Sequence, residues 1–275
     1  MLSLITWNIQ WGLGVDGQVS LPRIATECAR LGGADILCFQ EVADGFADLR
    51  GHDGSDQFAA LSRLFPDYQM CEGITIDWPA NATAPVRRRF GNVILSRLPV
   101  HQVVRHALPW KHAGGEAMQR GVLEVTVQTD EGPVRILTTH LEWSSADLRR
   151  HQIGALHRLY QEACERAFTP HQSGKGPYAT RPQTCDTILT GDFNMRPDDP
   201  LLALLQAPFE TDGVPSLHDA WPLIHGTTEH PPSMCLHDHS REPTRCLDYI
   251  FLSETLESRL TSIDYDQISQ ASDHQ

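Results

Sequence analysis

Apolar and β-branched residues recur along the chain in short runs, and these predict strands over residues 2–9, 34–39, 92–98, 121–127, 134–141, 187–189 and 247–252. Helical spacing of apolar positions predicts helices over 21–31, 56–65, 146–168 and 200–205. The third is the most regular, with Leu148, Leu156, Leu159 and Ala163 on one face and Ser144-Ser145-Ala146-Asp147 matching a capping box before it. Asp199-Pro200 reads as an N-cap followed by the first helical position. Strands mixed with helices, and a strand pair closed around Asp130-Glu131-Gly132-Pro133, predict an α/β fold with substantial antiparallel sheet. Residues 169–184 and 207–243, rich in Pro, Gly, His and polar residues, read as irregular surface excursions of the kind that shape substrate sites.

The ends of those strands carry the chemistry. Asn8, Glu41, His140, Asp192 and Asn194 each lie at the end of an apolar run; Asp248 lies in the last one, and Asp273-His274 close the chain. Asp192 and Asn194 flank the single apolar Phe193, so an extended backbone would aim both to one side. If these ends converge, they form one cleft rich in carboxylate and amide oxygens, which favours Mg²⁺ or Mn²⁺ over structural zinc. Such an ion suits charge stabilisation at phosphorus.

Other chemistries find less support. No Gly-x-Ser-x-Gly elbow and no Walker A loop is present. His218, His225, His230, His237 and His239, with Cys235 and Cys246, superficially suggest zinc, but their spacing is irregular. Arg87-Arg88-Arg89 could grip a phosphate or an anionic head group, against the commoner reading of a solvated charge run.

The 275 residues fit one domain, 1–275, and 40% hydrophobic residues suffice for a large core. No apolar stretch is long enough for a transmembrane segment, and the opening residues lack a leader pattern, so a cytoplasmic location is expected. Seven cysteines without CxxC spacing fit reduced thiols, and the acceptor triplet Asn81-Ala82-Thr83 then carries no weight. A formal net charge of −13 disfavours nonspecific attraction to nucleic acid, so a polyanionic substrate would need a local basic patch.

Seven motifs in order, Thr6-Trp7-Asn8, Gln40-Glu41, Gly91 to Arg97, Thr139-His140-Leu141, Gly191-Asp192-Phe193-Asn194, Leu247 to Phe251 and Ser272-Asp273-His274, resemble those of the endonuclease/exonuclease/phosphatase superfamily across almost the whole chain. The resemblance implies a two-sheet αββα sandwich like that of deoxyribonuclease I, with the site at one end of the sheets. It implies Glu41 as the main metal ligand, with Asn8, Asp192, Asn194 and Asp273 completing a metal and phosphate shell. Asp248 would orient His274, and His140 could protonate the leaving oxygen. Histidine at 140, where AP endonucleases usually carry tyrosine, and Gln10 in place of their aspartate, place the chain outside abasic-site repair.

The activity implied is metal-dependent hydrolysis of a phosphodiester by in-line attack of water, on nucleic acid or on a phospholipid-type head group; no protein partner is indicated. Relatives usually continue past the Ser-Asp-His motif into a proline and an apolar strand, whereas here only Gln275 follows. The resemblance therefore also raises a fold without the final strand, a loosely held His274, and, as the alternative function, a catalytically impaired binding protein.

Overall fold

The computed structural model describes residues 1–81, 86–111, 117–170, 174–238 and 243–275. Two mixed sheets lie face to face. The smaller contains β1 (Leu4–Asn8), β2 (Ile36–Asp44), β3 (Gln69–Pro79) and β4 (Arg87–Ser96) in the order β1-β2-β4-β3. The larger contains β5 (Val100–Ala107), β6 (Gly121–Thr129), β7 (Gly132–His140), β8 (Thr187–Asp192), β9 (Leu217–Asp219) and β10 (Asp248–Ser253) in the order β5-β6-β7-β8-β10-β9. Helices α1 (Leu21–Arg30) and α2 (Gln57–Leu64) cover the first sheet, and α3 (Ala146–Phe168) and α4 (Pro200–Leu205) cover the second. A short α5 (Ala220–His225) follows β9.

Strand alternation explains the layering. On β2, Leu37 and Phe39 pack outward against Leu21, Ile24, Phe58 and Leu61 of the helices, while Ile36 and Cys38 face the opposite sheet. There they meet Leu123, Val125, Ile136 and Ile188, so the intersheet layer is as dry as the helical ones. The third layer sets Ile153, Leu156 and Tyr160 of α3 on Leu137, Leu189 and Phe251. Strands buried on both faces lose polar alternation, which is why they read as continuous apolar runs.

The expected α/β sandwich is present, with differences. Strands β3 and β5 escape the apolar pattern because they lie at sheet edges and are only half covered. Residues 217–225, read as part of an irregular excursion, fold into β9 and α5, the latter capped by the Asp219 carboxylate accepting from the Trp221 N–H. Helix α3 spans Ala146–Phe168 as predicted, but its cap is Ser145, which accepts from the Leu148 N–H, whereas Ser144 donates to Glu142. Asp199 caps α4 as expected, accepting from the Leu201 N–H. Ala82 and Thr83 of the acceptor triplet lie outside the described residues. Among the described residues, no helix is long and apolar enough to cross a membrane.

Candidate active site

Register brings the polar strand ends together. Strands β7 and β8 run parallel with His140 beside Asp192, and antiparallel β10 sets Asp248 on the other side of Asp192. Three reactive side chains therefore occupy one level on three adjacent strands. In the smaller sheet Asn8 lies beside Gln40, and the pairing of β2 with β4 breaks between Phe39 and Val42. Glu41 sits in that bulge with φ 61°, a backbone state that turns its side chain out of the regular alternation. The two sheets then meet through Asn8, whose Nδ2 donates to Glu41 Oε1 and to Asp192 Oδ2, both at 3.1 Å.

The glycine before Asp192 is required by space. A Cβ on Gly191, at φ 136°, would lie 1.9 Å from the Thr139 carbonyl oxygen of the neighbouring strand. Beyond Asp192 the strand stops. Asn194 takes φ 52°, its N–H donates to Asp192 Oδ1 at 2.9 Å, and its Nδ2 donates to the Leu141 carbonyl at 3.0 Å. The two side chains are thus joined by a local turn; the extended geometry expected from the sequence does not continue, because the backbone leaves the sheet at Phe193.

His274 is firmly held, contrary to the expectation of a loose terminus. Its Nδ1 lies 2.8 Å from Asp248 Oδ2, which also accepts from the Ser233 hydroxyl at 2.6 Å. The His274 backbone N–H donates to Ser272 Oγ, its carbonyl accepts from Trp7 Nε1 at 2.9 Å, and Ser272 itself donates to the Asn8 carbonyl at 2.7 Å. Asp273 Oδ2 accepts from Gln10 Nε2 at 2.6 Å, so Gln10 itself belongs to the site.

Electrostatics divide the two imidazoles. Burial opposes charge on His274, but Asp248 and Asp192 outweigh it and hold the ring protonated well above the usual histidine range. His140 lies 3.4 Å from Asp192 Oδ2 and 3.8 Å from Glu41 Oε1, yet burial, Arg120 and His274 push it well below that range. These surroundings favour the neutral imidazole, and a divalent cation nearby would push the same way. Burial raises Glu41 to about 7, with Asp273 adding to it, and raises Asp192 to about 6 against the pull of His274.

The donor set suits a hard cation. Asp192, Asp248 and His274 lie with one polar atom each within 4.8 Å of one another, and since the His274 ring is protonated, the carboxylates supply the lone pairs. Asp248 Oδ1 is buried without a hydrogen-bond partner, and the raised carboxyls of Glu41 and Asp192 mark negative charge in need of neutralisation. Asn8, an expected ligand, has its amide nitrogen toward the carboxylates and its Oδ1 accepting from the Gln10 N–H at 3.1 Å, so here it spaces Glu41 from Asp192.

Sequence reasoning missed Arg120. It is 5% exposed, lies 3.9 Å from Glu142, and adjoins His140, Asn92 and Thr75 in a small cavity between the sheets. Only its place directly before the apolar run of β6 hinted at it. Other candidates are engaged elsewhere. Arg87 pairs with Asp77, Arg88 with Asp48, and Arg89 with Asp44 and Asp56. His218 pairs with Glu257 and His230 with Asp219, while His225 and His237 bond backbone carbonyls; His239 lies outside the described residues.

Comparison with known proteins gives the same assignment as the motifs. The model of the Endonuclease/Exonuclease/phosphatase family matches residues 5–274. Similar solved structures include an endonuclease/exonuclease/phosphatase from Beutenbergia cavernae, at 23% identity and TM-score 0.61 over 99% of this chain and 69% of that one. The human Nocturnin catalytic domain with bound sulfate aligns at 20% identity and TM-score 0.63, covering 99% and 90%. D. rerio TDP2 complexed with a single-strand DNA product aligns at 20% identity and TM-score 0.58, covering 92% and 83%. No curated protein matches the chain. Its fold, its ordered motifs and the family match over nearly its full length show that the chain belongs to the endonuclease/exonuclease/phosphatase family.

Proposed function

We propose that the chain is a divalent-metal-dependent phosphodiesterase acting as one domain over residues 1–275. The observation that carries this reading is the convergence of a neutral imidazole, a charged imidazole and two carboxyls of raised pKa at one end of both sheets. Glu41 would hold Mg²⁺ or Mn²⁺ directly, with Asp192, Asp273 and Asn194 in the surrounding shell. The bound ion would supply charge neutralisation at the phosphoryl oxygens.

The chain's own groups account for the remaining steps. His274, protonated and fixed by Asp248, donates to the leaving oxygen and passes it a proton as the P–O bond breaks. Asp192 is mostly ionised at neutral pH and accepts a proton from the attacking water. His140, neutral, orients that water or a phosphoryl oxygen by hydrogen bonding, with Arg120 behind it holding the ring uncharged. One ground of the binding-protein alternative, a loosely held His274, is countered by the ring being bonded and buried.

The substrate is a phosphodiester of nucleic acid or of a phospholipid-type head group. A structural neighbour, TDP2, holds a single-strand DNA product, which supports the first. Hydrolysis of DNA, RNA, a sphingomyelin-type lipid, a phosphomonoester and a generic diester, each with and without Mg²⁺, tests the reading. Turnover of at least one diester, abolished by chelation, is expected; turnover of the monoester alone would overturn it.

A further inference from the structure

Two exposed tryptophans each lie three residues past a strand end, Trp143 after His140 and Trp110 after Ala107. Trp110 and Trp143 are 52% and 57% exposed, on the segments that follow β5 and β7. Both segments are fixed by one buried side chain of α3. Gln152 donates from Nε2 to the Pro109 carbonyl at 3.3 Å and accepts at Oε1 from the Glu142 N–H at 2.9 Å. Each tryptophan is therefore the residue directly after a clamped peptide. An exposed indole on a fixed backbone presents a π-face at little entropic cost.

Cations accompany the indoles. Lys111 Nζ lies 3.1 Å from His151 Nε2, and Arg149 Nη1 donates to the carbonyls of Glu142 and Trp143 at 3.0 and 2.8 Å. In a chain of net charge −13, these cations stand near the end of β7, with Asp147, 3.8 Å from His151, and Glu142 as their acidic neighbours. The path inward is short, since Glu142 lies two residues past His140 and 3.9 Å from Arg120. A membrane surface would ask for a continuous apolar patch, whereas Lys111 follows Trp110, Ser144 and Ser145 follow Trp143, and Arg149 bonds the Trp143 carbonyl. A flat aromatic face beside a cation matches an unpaired base and its phosphate. A duplex keeps its bases stacked on each other and offers no such face.

We propose that Trp110 and Trp143 form a stacking subsite for unpaired bases of a single-stranded nucleic acid, with Lys111 and Arg149 beside its flanking phosphates. This rests on the phosphodiesterase reading in placing the scissile phosphate at His140. The test measures binding of a short labelled oligodeoxyadenylate in EDTA, by anisotropy, to wild type, Trp110→Ala, Trp143→Ala, both together, and the Phe variants. Each alanine variant should weaken binding about tenfold and each Phe variant less than about twofold, as expected for one stacked base. Binding of an abasic oligomer of equal length and turnover of a small chromogenic diester should not change.

Oligodeoxyadenylate binding by the double alanine variant equal to that of wild type would overturn the proposal. So would an equal loss on the abasic oligomer, or a loss confined to phosphatidylserine-containing vesicles. Tryptophan-dependent oligonucleotide binding by a protein that hydrolyses no diester would uphold the subsite and remove the phosphodiesterase reading. Diester hydrolysis with tryptophan-independent binding would do the reverse.

Discussion

Lowering the pH should weaken Mg²⁺ or Mn²⁺ binding by an amount that the surroundings of Glu41 set. Burial, with Asp273 and Asp192 adding to it, raises this carboxyl to about 7, although the Asn8 amide and His274 pull the other way. An ion that takes the ionised carboxylate must displace its proton, so apparent affinity follows the ionised fraction. That fraction is about one tenth at pH 6 and about nine tenths at pH 8, a change of about tenfold. Asp192, at about 6, contributes about another twofold over the same range. Isothermal calorimetry in two buffers of different ionisation enthalpy reads both quantities: affinity should tighten about 10- to 20-fold from pH 6 to 8, with about half a proton released by Glu41 at pH 7. The sign for stability is opposite. Because the folded state holds this proton more tightly than the unfolded chain, the ion-free protein loses stability as pH rises from about 4.5 to 7, by about 3 kcal/mol, and the ion restores it. A dissociation constant equal at pH 6 and 8 within about twofold would refute the reasoning.

Glu124 tests the same logic away from the site. Burial opposes its charge, but His106 and Arg135 hydrogen bonds at 2.8 Å hold it at about 2, so its contribution is complete above about 4.5 and is lost as pH falls toward 2. In urea denaturation, Glu124→Gln should cost about 3 kcal/mol at pH 7 and much less at pH 3; a gap that ignores pH would contradict this. Asp248→Asn should lower the pH at which the His274 ring titrates in NMR and reduce kcat about a hundredfold, and an unmoved titration would remove Asp248 from its assigned part. His140→Ala should cut kcat about 100- to 1000-fold while ion affinity stays within about twofold; equal loss of both would make His140 a structural support.

How much was legible depended on the range of the signal. Continuous apolar runs announced β2, β6, β7 and β8 because both faces of those strands are covered. Polar residues at strand ends pointed to Asn8, His140 and Asp192, whose strands are paired level with their neighbours, whereas Glu41, read as a strand end, sits in a bulge within β2. What stayed hidden is set by contacts across long sequence distances. Asp273 bonds Gln10, Ser233 caps Asp248, and Arg120 depresses His140; no local pattern encodes those pairs. Backbone state was equally hidden: period-two geometry at Asp192 and Asn194 gave way to a turn because Asn194 adopts a left-handed conformation. The protonation of the two imidazoles followed neither from their motifs nor from their neighbours in sequence. It depends on which carboxylates and cations the fold sets against each buried ring.

The central claim is that an ion held at Glu41 drives phosphodiester hydrolysis at this end of the sheets. The most direct measurement is the initial rate on a chromogenic diester with Mg²⁺, with EDTA, and for Glu41→Ala with Mg²⁺. Hydrolysis that vanishes with EDTA and falls about a thousandfold in Glu41→Ala is the predicted result. Turnover that persists in EDTA, or a Glu41→Ala protein as fast as wild type, would contradict it.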